Sequence, residues 1–456
     1  FMSEPSAKKR IWGWYFFDWA SQPYHTVLLT FVFGPYFVSI AQASFQARGV
    51  AEEVAKADAQ GMWSLGLLVS GLIIGFGAPL MGALADTAGR RMPWVVAFSL
   101  MYLVGATCLW WVMPDGSNLW WALIFFGIGF IGAEYAQIFT NAQLPTLGTQ
   151  REIGRISGSG YAFGYFGGLL ALVFALLLLV EQPNGKTVAG LVPILGLDAE
   201  AREGTRFIGP FAAIWFTLFM VPYFLWVREV RTVRRRPSMS AALSNLKRSI
   251  GGLVNRRSLA AYLGGSMLYR DALNGLYGFG GTYATLVLGW DITRVGVFGV
   301  ISVIAAAGFS FVGGRLDRVF GPKPVIVTCI LGLTLVCFLI LNMTPISVFG
   351  TPVSEGSGLV DTLFLICGVL IGGLGGILQA ASRSLMVRHT DSEAATESFG
   401  LYGLSGRATA FLAPMLIGAV SVATDNVRLG MAPLILLFLL GLVLLFWVKP
   451  EGDRAG

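Results

Sequence analysis

Twelve long apolar runs set the limits on what this chain can become. They fall roughly at 11–41, 61–85, 92–113, 118–143, 158–181, 206–228, 258–284, 293–316, 323–344, 360–388, 397–422 and 429–448. A membrane-crossing helix needs about 20 mostly apolar residues, and each run is of that order. A closed β-barrel is the only other spanning solution, but its strands alternate apolar and polar side chains over about 10 residues. These runs are continuous and longer, so helices are expected. Hydrophobic residues make up 55% of the chain and charged ones 12%, about half the share usual in soluble domains. Mean hydropathy is +0.70. A soluble enzyme, a disordered chain and a disulfide-built secreted scaffold are excluded on these grounds.

Lysine and arginine counts orient the runs. With the N-terminus in the cytoplasm, 23 of the 32 Lys and Arg residues fall on the inside, and an even number of spans returns the C-terminus to the same side. The expected layout is a tail over 1–10, a six-helix bundle over 11–228, a basic linker over 229–257, a second bundle over 258–448 and a tail over 449–456. The linker contains Arg234-Arg235-Arg236 and reads as a segment lying on anionic lipid headgroups. The net charge of +7 is accounted for in this way, and no nucleic-acid partner is expected. The run after Arg10 is too long for a cleavable leader and serves as the insertion signal. Cys108, Cys329, Cys337 and Cys367 each lie in an apolar run with no CxxC spacing and read as packing residues.

The two halves echo each other. Gly82-Ala-Leu-Ala-Asp86-Thr-Ala-Gly89-Arg90-Arg91 follows the second run, and Gly313-Gly-Arg-Leu-Asp317-Arg318-Val-Phe-Gly321 follows the eighth. Asp18-Trp-Ala-Ser-Gln-Pro-Tyr24 in the first run matches the spacing of Asp271-Ala-Leu-Asn-Gly-Leu-Tyr277 in the seventh. Duplicated helical halves are a feature of transporters that work around a central site.

The first glycine–aspartate–arginine segment resembles the loop signature of the major facilitator superfamily. That resemblance implies an all-α membrane protein of twelve transmembrane helices in two pseudo-symmetric six-helix bundles. It also implies a latch at the inward gate built from Gly82, Asp86, Gly89 and Arg90, with Asp317 and Arg318 as the second, less regular copy. Further segments narrow the likeness. Trp12-Gly-Trp-Tyr-Phe-Phe-Asp18-Trp-Ala20, Asn141-Ala-Gln-Leu-Pro145, Ile156-Ser-Gly-Ser-Gly160, Gln379-Ala-Ala-Ser-Arg383-Ser384 and Phe399-Gly-Leu-Tyr402 resemble the vacuolar amino-acid effluxer branch known from autophagy. That branch is related to the glycoside–pentoside–hexuronide cation symporters. The chain departs from it at His25, Arg270 and Arg407, each adding polarity within the bilayer.

Ionisable groups inside an apolar run are costly and mark candidate functional positions. Asp18, Gln22 and His25 stand at i, i+4 and i+7 on one helix face, where a carboxylate and an imidazole could pass a proton. Glu134 lies mid-run, with Asn141 seven residues on. Asp271 and Asn274 share a face of the seventh run, Asp271 suited to a coupling ion or to a structural pair with Arg270 or Arg407. Arg270 could clamp a cargo carboxylate or neutralise these acids. No HExxH, GxSxG or phosphate-loop pattern occurs in the sequence, and the glycine-rich stretch at 372–376 fits close helix packing. The expectation is a non-enzymatic, monomeric carrier in a bacterial-type inner membrane. It moves an amino-acid-like solute by alternating access, coupled to H⁺ or Na⁺, with no cofactor or metal. A sugar–cation symporter, an amphiphile exporter and a non-transporting sensor or scaffold are the alternatives.

Overall fold

The computed structural model describes residues 5–229, 238–290, 292–354, 357–391 and 394–453. Arg234, Arg235 and Arg236 of the linker lie outside the described residues. The described chain is almost entirely helical. In order it runs α1 (Ala7–Pro23), a π-helical stretch (Tyr24–Phe31), α2 (Phe33–Ala47), α3 (Glu52–Ala88), α4 (Met92–Cys108), α5 (Leu119–Asn141), α6 (Gln150–Phe174), α7 (Glu203–Arg206) and α8 (Ile208–Trp226). The linker helix α9 (Met239–Gly252) follows, then α10 (Arg257–Leu286), α11 (Ile292–Phe320), α12 (Pro322–Leu341), α13 (Leu359–Arg388), α14 (Ala395–Arg407), α15 (Leu412–Ala423) and α16 (Ala432–Leu444). A small antiparallel sheet, β1 (Met343–Thr344), β2 (Ser347–Val348) and β3 (Thr351–Pro352), joins α12 to α13.

Among the described residues, ten helical segments are long and apolar enough to cross a bilayer. Two of the twelve runs behave differently. The seventh forms the 30-residue α10, which carries Arg270, Asp271 and several serines and glycines and is therefore too polar to be counted. The eleventh is not one rod. It breaks at residues 408–411 into α14 and α15, and Pro414 stands in the first turn of the second piece, where its missing N–H costs no helical bond. Bulky apolar side chains such as Phe76, Leu218 and Leu335 stand exposed on the flanks of the spans, as expected of surfaces that a bilayer covers.

The chain divides into two compact units. The first comprises Phe1–Gly77, Gly89–Thr140 and Phe163–Arg235, and the second Ala78–Ala88, Asn141–Ala162 and Arg236–Gly456. In the first unit α1 and α4 pack on α8 around fully buried aromatics, with the Tyr102 and Phe216 rings stacked at 4.2 Å. In the second, α11 and α12 pack on α13, and α10 packs on α16. The second unit thus includes two short pieces from the first half of the sequence, the end of α3 and the start of α6.

Candidate functional site

The polar groups that sequence reasoning singled out fall into three sets of contacts. The first centres on His25. Pro23 ends the regular ladder of α1, since it offers no backbone N–H, and the helix widens into the π-helical stretch. Such wide turns recur at functional positions. Tyr24 is anchored by its hydroxyl, which donates to the Phe126 carbonyl at 2.7 Å. His25, one residue on, meets Glu134 of α5, Nε2 to Oε1, at 2.8 Å. Both side chains are only partly exposed, 26% and 14%. The carboxylate facing His25 is therefore Glu134 and not Asp18. Asp18 is buried at 6%, and it and Gln22 lie along a glycine stripe of α6. A Cβ on Gly164 would stand 3.1 Å from Asp18, and one on Gly168 2.6 Å from Gln22.

The second set is on α10, in the second unit. The Arg270 guanidinium lies over the Tyr402 ring, 4.2 Å from its centroid, and its Nη1 donates to the Tyr402 carbonyl at 3.0 Å. Gly406 completes the slot, since a Cβ there would sit 2.5 Å from the guanidinium. Asp271 turns away from this slot. It is 2% exposed, and its Oδ2 accepts from the Ala413 backbone N–H at 3.1 Å. Ala413 is the second residue of α15, so the carboxylate caps the start of the broken span, where the helix dipole favours a negative charge. Arg270 and Asp271 are adjacent in sequence but diverge on the helix, and they do not pair with each other. Asn274 is exposed, on the side of α10 that carries the half-buried Arg270. Arg407 ends α14, half-buried.

The third set comprises the two glycine–aspartate segments, each with its own partners. Asp86 accepts from the backbone N–H of Thr396 at 3.4 Å and of Glu397 at 2.8 Å, capping the first turn of α14. Gly82, one turn earlier, packs on the same strand of backbone, and a Cβ there would stand 2.9 Å from the Glu397 Cα. Gly89 has a φ of +67° and turns the chain out of α3. Arg90 is exposed. In the second copy, Asp317 is 2% exposed and lies against Gly154 of α6, while Arg318 is exposed. Gly158 of α6 approaches α11 so closely that a Cβ would stand 2.5 Å from the Gly314 Cα.

One buried charge escaped the list of candidates. Arg383 of α13 is fully buried. Its Nε donates to Ser157 Oγ at 3.0 Å, its Nη2 to the Ser157 carbonyl at 2.9 Å and its Nη1 to Asn141 Oδ1 at 3.0 Å. The guanidinium lies 4.1 Å from the centroid of the Tyr161 ring. Asn141 is thus engaged with Arg383 rather than with the Glu134 region. Among the described residues no group of three or more His, Cys, Asp or Glu side chains is placed to hold a metal ion.

With this geometry in place, the likenesses to known proteins become informative. The family model for "Vacuole effluxer Atg22 like" proteins matches residues 6–455. An uncharacterized major-facilitator-type transporter of Bacillus subtilis, YxiO, is 24% identical over 96% of this chain and 94% of its own length. An autophagy-related protein 22-2 of Neosartorya fischeri is 22% identical over 66% of this chain, which spans about half of that longer protein. Among solved structures, the proton:xylose symporter XylE aligns with a TM-score of 0.72 over 98% of both chains at 11% identity. The human organic anion transporter MFSD10 aligns at 0.70 over 97% of this chain and 100% of its own, at 16% identity.

Proposed function

We propose a proton-coupled carrier, from a premise that is plain: this chain belongs to the Atg22-like vacuole effluxer family of major facilitator transporters. It is a multi-pass membrane transporter of a small molecule and not an enzyme. The finer reading is ours. Twelve spans cross a bacterial-type inner membrane with both termini in the cytoplasm, and the monomer works by alternating access. The cargo is a small polar solute, amino-acid-like in keeping with the effluxer branch. The observation that carries the coupling reading is the 2.8 Å contact between His25 and Glu134. It joins two groups of opposite charge preference at a partly exposed position in a wide helical turn. An imidazole and a carboxylate in hydrogen-bond contact can exchange a proton. Arg270 supplies a fixed positive charge held flat on Tyr402, a geometry suited to a carboxylate-bearing cargo.

The reading is tested with purified protein in liposomes loaded with labelled amino acids, with sugars as the competing class. Uptake should follow an imposed pH gradient. Glu134→Gln should abolish gradient-driven uptake while leaving counterflow exchange. Uptake by Glu134→Gln at the native rate would remove the pair from coupling, and transport of sugars alone would replace the cargo class.

A further inference from the structure

We infer that Arg383 is the bolt that holds residues 141–162 against α13, and that its release is the event that opens this end of the carrier. The inference rests on the alternating-access reading above and adds a gating residue to it. A guanidinium with no exposure must satisfy its N–H groups on fixed acceptors. The Arg383 acceptors Ser157 Oγ, Ser157 O and Asn141 Oδ1 lie 226 and 242 residues away in sequence, both in the 141–162 segment. Ser157 reinforces the contact by donating to the Ala380 carbonyl at 2.8 Å.

The rest of this contact is built to part cleanly. Where α6 meets α11, the bare backbones of Gly158 and Gly314 face each other, and the Asp317 side chain rests on Gly154, a residue with no side chain to interlock with it. Meanwhile α13 is tied independently to α10. The Tyr262 hydroxyl donates to the Ser382 carbonyl at 2.5 Å, and the Tyr269 and Ser382 hydroxyls meet at 2.8 Å. Residue 382 therefore stays with α10, while residue 383 carries the detachable bonds. One helical position separates a permanent tie from a releasable one.

The test uses the full chain in liposomes with Ala380→Cys as reporter, a position 2% exposed beside the contact. A water-soluble maleimide is applied and each cysteine's modification is read by peptide mass. Cys337, fully buried in α12, reports global unfolding. Arg383→Gln should speed modification at position 380 tenfold or more with Cys337 protected. Asn141→Asp, which places a full negative charge opposite the guanidinium, should slow it threefold or more. A residue important only for folding would not give opposite signs. The inference is overturned if Arg383→Gln leaves the rate within twofold, or if Asn141→Asp accelerates it as Arg383→Gln does. Should Arg383→Gln expose Cys337, Arg383→Lys takes its place. It keeps the charge but loses the fork, and should give at least a threefold acceleration; no acceleration with Cys337 protected also overturns the inference. The readout needs neither cargo nor gradient, so a failure of the transport reading would appear as missing flux with this labelling pattern intact.

Discussion

Replacing Asp86 tests whether the aspartate of the first glycine–aspartate segment works as a helix cap. Its carboxylate receives two backbone N–H groups from the first turn of α14, one at 2.8 Å and one at 3.4 Å. The longer bond lies at the limit of useful geometry, so most of the effect comes from Glu397. Losing an N-terminal cap costs about 0.5–2 kcal/mol, and the charge at the helix start contributes about 0.3–1 kcal/mol of similar effect. Asp86→Ala should therefore weaken this contact by about 1–2 kcal/mol. Asp86→Asn, which keeps one acceptor oxygen, should weaken it by about half that. If the cap exists only while this end is closed, 1–2 kcal/mol changes the closed-to-open ratio by a factor of about 5–30. Ala83→Cys, 1% exposed on the same turn of α3, reads that ratio through its modification rate by a water-soluble maleimide. The expected order is native slowest, Asp86→Asn intermediate and Asp86→Ala fastest. Equal acceleration by both variants would mean that charge alone matters, and no acceleration by either would refute the capping account.

Three further outcomes follow from the geometry. Arg270→Lys removes the flat guanidinium from the Tyr402 slot and should raise KM most for carboxylate-bearing cargo; an equal loss for neutral cargo would make the arginine structural. Gly158→Ala puts a methyl group against Gly314 and should cost about 1–3 kcal/mol by overpacking, seen as a lowered thermal midpoint in detergent; an unchanged midpoint would show that α6 and α11 do not meet as described. His389, just beyond α13, is 2% exposed, and its ring lies between the Leu385 carbonyl and Ser258 Oγ with Arg256, Arg388 and Asp453 around it. Burial holds its pKa below the ordinary 6.5, so the unfolded chain binds the proton first. Its contribution to stability is complete above pH 6.5 and is lost as pH falls below that value. A melting series from pH 8 to 5 should show the decline, and His389→Gln should flatten it.

The helices were largely legible in the sequence because a bilayer enforces long apolar runs, and a run of 20 such residues has few other structures available. What hydropathy could not show is how a run is interrupted. The break at 408–411 directly follows Arg407 in a run that is otherwise mostly apolar, so mean hydropathy carries across it. Its sign as a helix restart is Pro414, which favours the first turn of a new helix over the middle of an old one. The π-helical stretch after Pro23 was equally hidden, because hydropathy does not register helix width. Glu134 and His25 were visible as ionisable groups in oil, but their pairing was not. Periodicity relates residues on one helix, and so it offered Asp18 as the partner of His25. Arg383 escaped for a related reason. It stands five residues before Arg388 near the end of an apolar run, and a count of bases assigns it to the flank. Only tertiary packing shows that the segment covering it comes from residues 141–161.

Asp86, Asp271, Glu229 and Asp453 share one habit. Each presents its carboxylate to peptide N–H groups at a helix start, respectively of α14, α15, α4 and α10. The complementary charge in these contacts is a backbone dipole, which no codon can reverse. Swapping acid for base at such a position sets a positive charge against a helix start, and exchanging a second ionic side chain elsewhere does not restore the lost N–H contacts. Raising ionic strength screens the charge part of these attachments but not their N–H···O bonds, so it should weaken them less than it weakens loose surface pairs.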